Sequence, residues 1–137
     1  MPHAWTLSLA GLPAFLSYFG TAIVLLAAFA FLYMRVTPHN ELALIRQGKA
    51  AAAVALGGSL LGFVLPEACA IVHAFSLLDF VIWAAIALVI QLATFFFLRL
   101  FVPGLPQRIE GDEMATGILV AAVSLAVGAL NAACMTP

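Results

Sequence analysis

Charge is scarce in this sequence. Only 8% of its 137 residues are Asp, Glu, Lys or Arg, about a third of the share a soluble domain carries. Because 66% are hydrophobic, the chain has too little polar surface to cover a water-soluble globule, and lipid must be its solvent. The five basic residues, Arg35, Arg46, Lys49, Arg99 and Arg108, form no dense patch, which speaks against a nucleic-acid partner. Two cysteines, Cys69 and Cys134, are too few for a disulfide scaffold or a metal site. There is no nucleophile with base and orienter, no phosphate loop and no CxxC motif, while His3 and His73 stand isolated. The chain is therefore expected to be no enzyme and to need no cofactor. The N-terminus lacks a basic region and its apolar run is too long for a signal-peptide core, so that run is read as a retained helix.

Long apolar runs are what the sequence does have. A bilayer core of about 30 Å needs roughly 20 residues of helix, and four stretches qualify: about 13–34, 49–73, 77–100 and 113–134. The fold class this gives is an all-α integral membrane protein, one domain over 1–137 with four transmembrane helices and a short cytoplasmic surface helix. All five basic residues fall in the first and third connections. The excess of Lys and Arg on cytoplasmic loops then puts that side in the cytoplasm and both termini outside, in the periplasm of a bacterial inner membrane.

Thr37-Pro38 suits a helix start, with threonine capping and proline in the first position. Leu42, Leu44 and Ile45 alternate with Glu41, Arg46 and Gln47, as in a helix lying on the membrane with Leu42 and Ile45 toward the bilayer. The third connection, Pro103-Gly104-Leu105-Pro106, reads as a turn-rich bend. Asp112 and Glu113 sit where a helix N-terminus favours negative charge. The halves 1–73 and 74–137 look alike: each has a long helix ending in arginine, a short polar connection, then an alanine-rich helix with small residues four apart. This suggests two hairpins related by a parallel repeat.

Gly58 and Gly62 form a GxxxG motif, and Ser124 with Gly128 offers a similar face. Small residues let backbones approach in lipid, so Gly58, Gly62 and Gly128 are read as helix-packing positions. Pro66 lacks an amide hydrogen and clashes with the Gly62 carbonyl, so a kink is expected there. Glu67 either reaches the outer headgroups or marks a wet inner site. Asp79 follows Ser76 in a capping-box pattern, and together with Glu67 and Asn131 it completes a set of outer-side polar candidates. Gln91, with Ser59 and Ser124, lies near the midplane. The Gln91 amide should face protein, either as an interhelical hydrogen bond or as a polar lining, leaving Phe80, Ile82, Leu88 and Phe95 for lipid. His39, Glu41, Arg46 and Lys49 are candidates for docking a cytoplasmic protein.

The runs Thr37-Pro-His-Asn-Glu41, Leu56-Gly-Gly-Ser-Leu-Leu-Gly62, Ile86-Ala-Leu-Val-Ile-Gln-Leu92 and Asn131-Ala-Ala-Cys-Met-Thr136 resemble, in order and spacing, the YjfL-like bacterial inner-membrane proteins, a family with no assigned function. The resemblance covers nearly the whole chain. It departs at Pro66-Glu67, where an apolar or small residue is expected after the proline. The resemblance implies a bacterial inner-membrane protein. The family's company, phage-shock-protein-A-like membrane-remodelling proteins and ATP-grasp ligases, implies a role in envelope maintenance. The expected function is a non-enzymatic, homo-oligomerising subunit in the lipid bilayer that docks a cytoplasmic partner. The alternative is a small oligomeric channel or carrier for an ion or small polar solute.

Overall fold

The computed structural model describes residues 4–135, which are helical with no strand among them. His3, Thr136 and both chain termini lie outside the described residues. In chain order the helices are α1 (Ala4–Leu9), α2 (Leu12–Val36), α3 (Glu41–Arg46), α4 (Ala50–His73), α5 (Leu77–Phe101), α6 (Leu105–Glu110) and α7 (Met114–Met135). Of these, α2, α4, α5 and α7 are long and apolar enough to cross a membrane. A spanning helix satisfies its backbone groups internally where no water can. The long helices begin and end within two residues of the expected spans. Because α2 and α5 finish where α4 and α7 start, all five basic residues gather at one end of the bundle, here called the basic end.

The centre of the bundle is the parallel pair α4 and α7, whose backbones touch. A Cβ added at Gly58 would collide with Ala121, one at Gly62 with the Ser124 carbonyl, and one at Gly128 with the Gly62 carbonyl. One at Gly117 would lie 2.6 Å from the Ala51 carbonyl oxygen. Lipid gives no hydrophobic drive between helices, so this close packing of small residues is what holds them. α4 runs on through Pro66. Proline takes the hydrogen-bond donor from the Gly62 carbonyl, and Gly128 closes over that same carbonyl.

α2 is held by a few aromatic contacts. Phe29 stacks on Phe63 of α4 with ring centroids 4.8 Å apart, and Tyr33 meets Phe95 of α5 edge-on at 5.4 Å. Toward the other end Tyr18 lies against Phe80 at 6.0 Å. Phe80 and Phe95 are thus buried, at 0% and 2% exposure, and are not the lipid face expected of them; Ile82 is exposed and Leu88 is half-buried. Helical periodicity supplies the reason. Phe80, Ala84, Ala87, Gln91, Phe95 and Leu98 recur at spacings of three and four, so turning Gln91 inward turns the phenylalanines with it.

The connections differ from expectation in three places. α2 continues to Val36, and Thr37 ends it, its amide donating to Tyr33 and its hydroxyl to Met34. The residue before a proline avoids helical geometry, so α3 starts later, with the Asn40 side chain accepting from the Ala43 amide at 3.2 Å. On α3, Leu42 is exposed as expected, but Leu44 is buried and Ile45 packs on the core. The third connection contains α6, seated by the buried Leu105, Pro106 and Ile109. It is short, like α3, so each half of the chain places a six-residue helix between its two spans.

The third difference is Asp112, which caps a helix in the other half of the chain. Its Oδ1 accepts from the Ala51 amide at 2.9 Å, on the first turn of α4, while Lys49 Nζ donates to the Glu110 carbonyl at 2.8 Å. Asp112 does this from a left-handed backbone, φ 59°, matched in the first half by Gly48 at φ 78°; aspartate is among the few side chains that tolerate that region. Asp112→Ala should cost about 1 kcal/mol, the usual value of a lost cap. Asp112→Asn, which keeps the acceptor, should cost clearly less. Thermal unfolding in mild detergent checks this, and equal losses for both variants would refute the cap.

Candidate functional site

Polar side chains inside a membrane bundle are costly and need partners, so where they gather is informative. Gln91 on α5, Ser59 on α4 and Ser124 on α7 meet in the interior at 3%, 3% and 4% exposure. Gln91 Nε2 donates to the Ser124 carbonyl at 3.3 Å, while Gln91 Oε1 is buried with no hydrogen-bond partner among the described residues. The Ser59 and Ser124 hydroxyls are 3.4 Å apart, and Ser59 also donates to the Ala55 carbonyl at 2.8 Å. The glycines make room for this node: a Cβ at Gly62 or Gly128 would lie 2.9 or 2.8 Å from Gln91 Nε2.

From the node the polar groups continue toward the basic end. The Tyr33 hydroxyl comes near Ser59 without a hydrogen bond to it and lies in the field of Glu41. Glu41 Oε1 is 3.0 Å from His39 Nε2. The pair is close but not aligned as a hydrogen bond, and both ring nitrogens and both carboxylate oxygens are buried without such a partner. His39 and Glu41 are 2% and 1% exposed, which corrects their reading as docking residues: the turn from Thr37 to Asn40 points them into the bundle, His39 toward the Phe95 ring at 6.4 Å. Of the other two docking candidates, Arg46 is exposed and Lys49 is held by α6.

Toward the opposite end the track resumes at Glu67, 4% exposed with Oε1 unpaired. Glu67 follows Ser59 and Phe63 along the inward stripe of α4, so it faces the bundle and not lipid, six residues before the helix ends. The register of α4 on α7, with Gly58 on Ala121 and Cys69 Sγ donating to the Ala132 carbonyl at 3.2 Å, sets Glu67 level with Asn131. Asn131 Nδ2 is likewise buried and unpaired. Asp79 stands apart from the track: its amide donates to Ser76 Oγ at 3.2 Å, the first half of the capping box, while its Oδ2 accepts from the amide of Phe75, one residue before the cap, at 3.1 Å. Cys69 and Cys134 are both free.

Tyr33 is the member of this track that the sequence did not single out. It sits inside an apolar run, and its only signal is an aromatic with a polar tip two residues before Arg35. Taken together, six elements (α2, the α2–α3 turn, α3, α4, α5 and α7) contribute buried polar groups to a file in two stretches, one from His39 to Gln91 and one at Glu67 and Asn131. Such a file can hold water or pass a small charged or polar species; it offers no nucleophile poised on a base.

Known proteins resemble this chain in sequence. The profile of the DUF350 family, a domain of unknown function, matches residues 6–135. The UPF0719 inner membrane protein YjfL of Escherichia coli K12 is 42% identical over 123 residues, 90% of this chain and 93% of that protein. The UPF0719 transmembrane protein YshE of Bacillus subtilis 168 is 28% identical over 119 residues, 85% of this chain and 89% of that one. No solved structure matches. With its four apolar spans and a family profile that runs from α1 to the last turn of α7, the chain belongs to the DUF350 family and is a multi-pass inner-membrane protein.

Proposed function

We propose that this chain is a non-enzymatic membrane subunit that works in several copies as a conduit for an ion or small polar solute. The observation that supports this is the buried file of polar groups, with Glu67 inside a spanning helix and six elements meeting between Gln91 and His39. Ionisable groups at membrane depth mark pathways by default, because hydrocarbon offers them nothing in return. A four-helix protomer leaves little free space, so the working unit is a multimer, and its mass in mild detergent should exceed that of one copy. The test is flux: protein in liposomes should pass ions or a neutral solute that empty vesicles retain. Gln91→Leu should still assemble, since such interhelical bonds average about 0.6 kcal/mol, yet it should lose about tenfold in flux. Flux unchanged in that variant would remove Gln91 from the pathway, and a wild-type protein that passes nothing would overturn the reading.

The basic end faces the cytoplasm in this proposal, by the distribution of Lys and Arg. A reporter active only in the cytoplasm should give signal when inserted after Gly111 and none when fused at Pro137; the reverse pattern would invert the topology.

A second reading is favoured by the exposed Arg46 and the half-exposed Arg108 at the basic end: a homo-oligomeric subunit that docks a cytoplasmic protein in envelope maintenance. Co-purification of a stoichiometric cytoplasmic partner, lost in Arg46→Glu, would favour it over the conduit.

A further inference from the structure

We infer that the species carried is the proton, and that His39 with Glu41 is where the basic end takes it up. This rests on the conduit reading and adds a carried species and a loading site to it. The groups that face His39 are Glu41 of α3 and the Phe95 ring of α5, with Tyr33 of α2 near Glu41 and Ser59 of α4 beyond it. Without an added proton, a neutral imidazole and a bare carboxylate are buried together, and the negative charge is uncompensated. With one, the pair becomes imidazolium and carboxylate, whose charges cancel at 3.0 Å. An N–H on His39 Nε2 turned toward Glu41 Oε1 would give two buried atoms, otherwise without hydrogen-bond partners, a partner in each other.

The chemistry of the file favours a proton over larger cargo. A dehydrated metal cation takes several oxygens, and no cluster of three His, Cys, Asp or Glu occurs among the described residues. A cleft lined by Ala70, His73, Asp79, Trp83 and Cys134 lies at the opposite end, one helical turn beyond Glu67 and Asn131. The file itself consists of groups that pass protons. Imidazole, carboxyl, phenol and hydroxyl each accept a proton on one lone pair and release another, so each step forms one N–H or O–H bond and breaks one. The net result is one proton in and one out, with no other reactant. At Gln91 the amide cannot relay, so the proposal requires a water that donates to the unpaired Oε1 and carries the proton past it.

The experiment uses the whole protein in liposomes under an imposed potassium diffusion potential. An internal pH dye reports protons, sodium and potassium dyes report cations, and swelling reports neutral solutes. Proton entry should exceed that of empty vesicles, slow in D2O, and fall about tenfold in His39→Gln and in Glu41→Gln, the effect expected of losing one charge-assisted contact. Both variants are first checked for wild-type elution. If His39→Gln aggregates, Glu41→Gln and the selectivity of the wild type decide. Sodium, potassium or solute crossing without protons would overturn this inference and leave the conduit standing. Proton entry undiminished in folded variants would remove His39 and Glu41 as the loading site. If nothing crosses, both readings fall.

Discussion

Gly128→Ala should destabilise the protein by about 3 kcal/mol, the upper part of the usual range for overpacking, whereas Gly20→Ala should stabilise it by roughly 0.5–1 kcal/mol. The chemical change is one methyl group in both. At Gly20 nothing lies within 4 Å of the added carbon, and alanine simply removes the entropic cost of glycine in a helix. At Gly128 the methyl meets the Gly62 carbonyl and, at 2.8 Å, the Gln91 amide. The carbonyl is backbone and cannot rotate away, so α4 and α7 must separate along a contact that has no hydrophobic drive to restore it. Thermal unfolding of the two variants beside wild type in one detergent reads the sign directly. Similar midpoints for both would show that the close approach of α4 and α7 is not what holds the bundle.

Glu67→Lys should fail to assemble, while Glu67→Gln should fold within about 1 kcal/mol of wild type. A lysine at the centre of a spanning helix costs about 2.5–3.5 kcal/mol and less toward its end; here, six residues before α4 ends, the side chain is directed into the bundle at 4% exposure, where the charge has no partner. The amide keeps the shape and carries no charge. Yield and elution profile in detergent give the stability comparison. If both variants fold alike, Glu67 faces a wetter environment than its burial indicates. On the conduit reading, Glu67→Gln should also reduce ion flux at least about tenfold.

The four spans were legible because each is an apolar run longer than the bilayer needs, a signal that local context does little to blur. The midplane polar set was legible by counting along those spans. What counting did not show was rotation. The orientation of α5 follows only once one residue is known to face inward; then Phe80 and Phe95 go inward with Gln91 through the helical period, against their apolar appearance. Short elements were illegible for a different reason. α6 has six residues and α3 the same, too few for a periodic pattern, and in α6 the Gly-Leu-Pro run reads locally as a turn. His39 and Glu41 look like surface residues in any local window, and only the packing of α3 on α4, with Phe95 of α5 beside His39, makes them interior. The cap from Asp112 to Ala51 joins residues 61 apart, so no local pattern announces it.

That cross-half cap bears on how the protein is made. A chain threaded into the membrane from its N-terminus delivers α2 and α4 first, and at that stage the first turn of α4 lacks its acceptor, because Asp112 has yet to leave the ribosome. Lys49 likewise waits for Glu110. The leading hairpin therefore enters the bilayer as an unfinished piece, with the small-residue face of α4 open to lipid or to the insertion machinery. It is closed only when α7 arrives and its preceding turn locks over the start of α4. Biogenesis is then a two-stage event with its latch in the last quarter of the chain, and truncation after α5 should leave a product that membrane quality control removes.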